Sequence, residues 1–397
     1  MTGNRTRFMV VSALVTLVMG AASWVAAQSR SQAPAPDSLY KYLSVFTEVL
    51  GLVRQAYVKD TDVDALMAGA YEGAADSLGP FTVYVPPEQV AEYRRVHEHP
   101  APDTGLYLLR ERGWLYVVGV AAGSAAERAG FERGDLVSKI DGQPTRELQV
   151  WQIEQQLGTK RGETVAMSIL RQGDAKTMQL KVEEASTEAT ASVKRVREVP
   201  VLRIARFDRG TAAAVEGELQ KLAKAHADKL AIDLRGVAGG DPESAYQVAD
   251  HLVSGDMGTL EARDQVKQRF SAAGEPLWKG RLVVLTDRGT LGAAEVLARV
   301  LDEGAAATLV GEPTFGHAGH QGQIELQSGA LVELTDSFYT GPKGKPLTES
   351  VDPDQEVDER SRTLREKDLS VDELILQRGV GVLEKPAVEA APAQKAA

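Results

Sequence analysis

His317 and His320 stand three residues apart in the run Thr314-Phe315-Gly316-His317-Ala318-Gly319-His320-Gln321. Imidazoles are the commonest metal ligands, but zinc takes three or four protein ligands. No third ligand stands in an obvious relation to this pair. The expectation is no metal and no cofactor, with both histidines engaged in local hydrogen bonding or peptide contact. The chain contains no cysteine, which excludes thiolate catalysis, disulfides and cysteine-ligated zinc. Thr290 places a hydroxyl just ahead of a helical run, where its ordinary role is a cap or a partner for local backbone. A hydroxyl becomes a nucleophile only beside a group that takes its proton, and Ser271, Ser328 and Ser337 are not paired with such a group by any pattern.

These residues fall in a region of alternating runs. Residues 202–204, 230–234, 282–286 and 307–310 are apolar and strand-like, while residues 211–226, 243–252 and 293–301 have helical spacing. Such alternation predicts an α/β domain whose site lies in loops at the carboxyl ends of the strands. Residues 101–190 differ: strand-like runs at 115–118, 136–140 and 165–170, an Asp141-Gly142 turn and a helix over 150–157 predict a compact module of strands and turns. Ahead of it, residues 39–57 and 63–78 carry helical patterns, and a short helix continues to about His97. Leu43, Phe46, Val49, Leu50 and Val53 are expected to pack into a core.

The chain has 397 residues, a net charge of −11 and a pI near 5.2. Nucleic-acid binding needs a basic surface, so no nucleic-acid partner is expected. Arg5 and Arg7 precede the uncharged residues 8–27, and Val25-Ala26-Ala27 supplies small residues for cleavage before Gln28. This predicts an exported, periplasmic chain with either a cleaved signal peptide or a retained inner-membrane anchor, since about 20 apolar residues span a bilayer.

Residues 105–182 resemble a PDZ domain. The resemblance rests on Gly105-Leu106-Tyr107-Leu108, on the run from Ala121 through Ser124, Ala126, Ala129 and Gly130 to Gly134-Asp135-Leu136, and on Ile140-Asp141-Gly142. It implies that a peptide's free carboxylate binds the N–H groups of Gly105, Leu106 and Tyr107 while the peptide adds as a strand to the sheet edge. Leu106 and Leu108 would then line an apolar pocket for the terminal side chain. The alternative is that both leucines only fill the module's own core.

Residues 40–360 resemble the carboxyl-terminal processing (tail-specific) proteases, serine peptidases of the S41 type with an inserted PDZ module. The supporting segments are Ser77-Leu78-Gly79-Pro80-Phe81-Thr82-Val83-Tyr84, Asp233-Leu234-Arg235-Gly236-Val237-Ala238-Gly239-Gly240, Tyr339-Thr340-Gly341-Pro342 and Val351-Asp352-Pro353-Asp354. The resemblance implies a nucleophilic serine at the fourth position of Gly289-Thr290-Leu291-Gly292-Ala293-Ala294-Glu295 and a lysine base 25 residues later. Gly292 and His317 occupy those two positions. It further implies an oxyanion-hole-like N–H at Gly240, a second at Gly292, and a retained glutamine at Gln321. Glycine at the Gly239-Gly240 turn is equally what close strand packing requires.

The expected fold is therefore an α/β protease-like core with an inserted PDZ-like domain and a small helical N-terminal subdomain. The expected boundaries are a signal peptide or anchor at 1–27, a linker at 28–38, helices at 39–98 and the PDZ-like domain at 99–190. The core follows at 191–370, and a partly disordered extension at 371–397. The expected function is that of a catalytically inactive homologue binding peptide or protein C-termini, with an envelope protease or its substrate as partner. The alternatives are an active endopeptidase with a nucleophile foreign to the family, and a purely structural assembly protein. Ligand sequence and oligomeric state are not encoded legibly.

Overall fold

Where a strand is covered on both faces, its sequence reads as a continuous apolar run. In the computed structural model, which describes residues 37–98, 104–121, 123–183, 189–358 and, with short gaps, 360–385, the strands at the centre of the chain are of this kind. The chain divides into two units, residues 1–69 and 70–397.

The first unit contains α1 (Asp37–Ala56) and the first half of α2 (Val63–Asp76). The helical spacing of α1 is as expected, but Leu43, Phe46 and Val49 are exposed by 51%, 40% and 53%. Their expected place in a core is corrected: two helices have too little surface to bury one. The expected membrane anchor is corrected as well. Among the described residues no helix is long and apolar enough to cross a membrane, and residues 1–27, on which the anchor and the localisation rested, lie outside the described residues. The linker up to residue 36 and the tail from residue 386 also lie outside them.

In the second unit, six strands form the central sheet in the order β17-β14-β13-β10-β9-β8. These are β8 (Ala191–Val196), β9 (Val199–Ile204), β10 (Lys229–Asp233), β13 (Arg281–Thr286), β14 (Thr308–Gly311) and β17 (Gln355–Glu356). All neighbours are parallel except β8 and β9. Side chains alternate between two cores. Leu230, Ile232, Leu282 and Val284 face α6 (Thr211–Lys224), α7 (Pro242–Ala249) and α8 (Ala293–Gly304). Ala231, Val283 and Leu285 face Leu374, Ile375 and Val380 of α9 (Val371–Glu384). Residues 371–384, read from the sequence as part of an extension, thus form the helix that covers the second face.

The PDZ-like module is a separate sheet, β2-β3-β4-β6-β7, with β5 paired to β4. Its strands are β2 (Leu106–Glu111), β3 (Trp114–Val120), β4 (Leu136–Ile140), β5 (Gln143–Pro144), β6 (Thr164–Arg171) and β7 (Asp174–Lys181). Two helices close its core, α4 (Ala125–Arg128), capped by the Ser124 hydroxyl, and α5 (Val150–Thr159). The Asp135 carboxylate accepts the Glu132 N–H and a two-pronged ion pair from Arg171. Arg133 reaches out of the module to Asp287 and Glu312 of the core, at 3.3 and 2.6 Å.

A third, antiparallel sheet runs β1-β16-β11-β12 with β15 on β16. It comprises β1 (Val83–Val85), β11 (Asp256–Ala262), β12 (Gln265–Ser271), β15 (Gly319–Glu325) and β16 (Leu331–Tyr339). β1 leads through a single turn to α3 (Val90–Glu98), which packs on α5: the Tyr93 and Trp151 rings meet edge to face at 5.5 Å.

Candidate active site

Three loops leave the carboxyl ends of β10, β13 and β14, the end of an open parallel sheet where sites form. The first two are tied together by Asp287. Its Oδ1 accepts the N–H groups of Gly236 and Gly289 at 2.9 and 3.0 Å and the Thr290 hydroxyl at 3.0 Å. The Leu291 N–H adds a bond to the Val237 carbonyl at 3.0 Å.

Gly292 stands at the sharp turn into α8, with φ +66° and ψ −115°, a conformation side-chain-bearing residues avoid. A Cβ built there would have only the Gly239 backbone near it, at 3.8 Å or more. The position is empty of side chain but not crowded. The third loop carries His317. Its ring lies flat on Phe81, with centroids 3.8 Å apart and planes 7° from parallel, and meets Phe338 edge to face. Burial holds its pKa down at about 4, so the imidazole is neutral at pH 7. Its Nε2 is 3.4 Å from the Thr335 hydroxyl, which also exchanges hydrogen bonds with the Gln321 carboxamide.

Glu295 joins the second and third loops. Fully buried on the first turn of α8, it accepts four hydrogen bonds: from the Gly292 N–H at 3.0 Å, the Thr314 hydroxyl at 2.5 Å, the Gly316 N–H at 2.5 Å and the His317 N–H at 3.0 Å. Burial pushes its carboxyl up, against the pull of these four donors. Sequence reading passed over Glu295 except as the last letter of a motif. Three of its four donors come from a loop 19 to 22 residues further on, and only a glutamate on an otherwise apolar helix face hinted at a buried acid.

The expected site residues therefore separate into two groups. Gly292 and His317 meet on one carboxylate oxygen of Glu295, and Gln321 joins through Thr335. The Gly292 N–H, expected as an oxyanion donor, donates to Glu295. Gly239, not Gly240, is the glycine against Gly292. Gly240 lies one residue further, at φ +84°, with a would-be Cβ 2.8 Å from the Phe207 carbonyl oxygen, so packing alone requires glycine there. Thr290 is fully buried and its hydroxyl donates to the Leu234 carbonyl and Asp287. His317 and His320 do not converge: His320 pairs with Asp336 at 3.0 Å.

The second group, Gly105, Leu106, Tyr107 and Leu108, lies on the module's edge strand. No strand among the described residues pairs with the outer side of β2. The Leu106 N–H donates to the Thr104 hydroxyl at 3.2 Å. Leu106 and Leu108 are half-buried against the module's core. The two groups meet at one place: Leu108 and Gln321 line the same cavity of about 180 Å³.

The profile described as Peptidase family S41 matches residues 198–357, and a PDZ domain profile matches residues 116–171. Residues 198–357 thus carry a peptidase family S41 domain. The chain's relatives include carboxy-terminal processing proteases CtpA and CtpB of Bacillus subtilis. They are 27% and 26% identical to it, over 82% and 79% of this chain and 70% and 67% of theirs. The solved structure titled photosystem II D1 C-terminal processing protease superposes with a TM-score of 0.63 over 84% of this chain and 95% of its own, at 24% identity. The two share a fold over most of this chain.

Proposed function

We propose that this chain binds the carboxyl-terminal ends of peptides or proteins on an S41 protease scaffold and does not perform the covalent hydrolysis of that family. The observation that carries the reading is Gly292. At the turn where the family resemblance implies the attacking hydroxyl, there is no side chain to attack with. Acyl transfer by a serine-type route needs a nucleophile beside a base. His317, in the position implied for the lysine, is a neutral ring with nothing to deprotonate. With the Gly292 N–H held by Glu295, one donor that would steady an oxyanion is also engaged.

Binding has a separate basis. The unpaired edge of β2 and the turn at Gly105 are the parts a PDZ domain uses to capture a C-terminus, and neither depends on the altered pair. The chain would act as an adaptor that presents or shields C-termini.

Two measurements test this. Cleavage of fluorogenic peptides is compared for wild type, Gly292→Ser, His317→Lys and the double variant. The wild type and both single variants are expected to stay at the background rate, and only the double variant to label with a serine-directed reagent. Wild-type turnover that disappears on substituting a residue of this chain would overturn the reading. Calorimetry with an apolar-ended peptide and its amidated form tests the binding half: amidation removes the terminal charge, and equal affinities would rule out carboxylate capture.

A further inference from the structure

The cavity shared by Leu108 and Gln321 has a polar account that does not close. Besides these two it is lined by Tyr93, Arg110, Trp151 and Glu154, among others. Tyr93 and Trp151 are 1% and 5% exposed. The Tyr93 hydroxyl, the Trp151 indole N–H and the Arg110 Nε–H are all buried with no hydrogen bond within 3.5 Å, the Tyr93 hydroxyl facing the Glu333 carboxylate from further off. Buried donors almost always find partners, and three of the five such side-chain atoms among the described residues belong to residues that line this one cavity.

The charges do not close either. Asp76, also in the wall, is answered by Arg110 at 3.0 Å. Glu154 and Glu333 line the same space with no cation paired to them. Glu333 accepts from Gln323 at 2.8 Å, whereas Glu154 makes no hydrogen bond or ion pair among the described residues. His97 acts on it through charge alone, its Nδ1 being engaged with the Tyr93 carbonyl at 2.8 Å. Phe81, Tyr93, His97 and Trp151 make the wall aromatic as well as acidic. An occupant must bring a positive charge to the carboxylates. A peptide strand beside β2 brings one, as a long cationic side chain at one position. Aromatic rings with carboxylates suit an ammonium or guanidinium. A space of about 180 Å³, equal to roughly six waters, has room for one such side chain.

We propose that this cavity selects peptides carrying lysine or arginine two residues before a free apolar carboxyl terminus. The spacing follows from strand geometry. Side chains of an added strand repeat every second residue on one face, and the cavity begins at Leu108, two residues along β2 from Leu106 at the terminal-carboxylate turn. The inference rests on the proposed capture of C-termini by the β2 edge.

The test uses the full chain and calorimetry with three peptides: one with lysine at that position, one with norleucine, and the lysine peptide amidated. The lysine peptide is expected to bind about tenfold more tightly than the norleucine peptide, as for a hydrogen bond to a charged group. Glu154→Gln is expected to remove that preference while leaving norleucine-peptide affinity within about twofold, and Glu333→Gln, measured in parallel, to reduce it. Equal affinity for lysine and norleucine, with amidation still harmful, overturns this inference alone. A preference that survives both variants overturns the assignment to this cavity. Absence of binding, or indifference to amidation, overturns the capture of C-termini and this inference with it.

Discussion

His317 lies flat against Phe81, ring on ring at 3.8 Å. A protonated imidazole in this half-buried place would lose hydration that no carboxylate restores, and burial accordingly holds its pKa at about 4. An unfolded histidine titrates near 6.5. Between pH 6.5 and 4 the unfolded chain therefore binds a proton that the folded chain refuses. The stabilising contribution is complete above 6.5 and is lost as pH falls through 4. The loss amounts to about 3 kcal/mol at most. Urea unfolding of wild type and His317→Phe across this range should show the extra acid sensitivity only in the wild type. Buried carboxylates such as Glu295, pushed up by burial, contribute the opposite slope to both proteins, so the difference between them is the quantity to read.

Gly292→Ser is expected to fold. The built Cβ meets nothing closer than 3.8 Å, so the cost is backbone conformation alone, about 1–3 kcal/mol. A chemical denaturation midpoint, with a near-UV spectrum unchanged from wild type, checks this. A loss well beyond that range would mean that the turn has repacked around glycine.

Glu295→Ala would strand four donors in a dry place and is expected to cost about 3–5 kcal/mol. Glu295→Gln turns an amide NH₂ toward two of those donors and should cost about 2 kcal/mol. Amide hydrogen exchange at Gly292, Gly316 and His317 should speed up in both variants while the strands β10 and β13 stay protected.

Arg133→Ala removes the ion pairs from the PDZ module to Asp287 and Glu312. Arg133 is one-third exposed, so the expected loss is only about 1 kcal/mol. A double-mutant cycle with Glu312→Gln should return a coupling energy of a few tenths to about 1 kcal/mol.

The parts of this molecule legible in its sequence are those fixed by local chemistry. The apolar run at 282–286 lies within β13, and residues 293–301 open α8, because a strand buried on both faces and an apolar helix start have short-range signatures. The PDZ turn at Gly134-Asp135 was readable for the same reason. The antiparallel sheet was not. β12 exposes Gln265, Lys267 and Gln268 and buries little beyond Phe270, so its sequence resembles a loop. Glu295 and its donors, and the docking of Trp151 on Tyr93, join distant segments, which no periodicity records. The exposed leucines of α1 show the converse: helical spacing identifies a helix but not what covers it.

The pairing of β1 with β16 joins Val83 to Glu333, 250 positions apart. As the chain is made, Val83 emerges from the ribosome long before its partner exists. At 5–20 residues per second the wait is roughly 10 to 50 s. The PDZ module, whose strands are joined almost entirely to near neighbours in sequence, has time to complete itself in that interval. Phe81 must wait uncovered, because its ring partners Phe315 and His317 are made later. Stalled translation before residue 331 would therefore leave a finished peptide-binding module beside an unfinished wall, a species that a nascent-chain protease digest should cut first between residues 79 and 98.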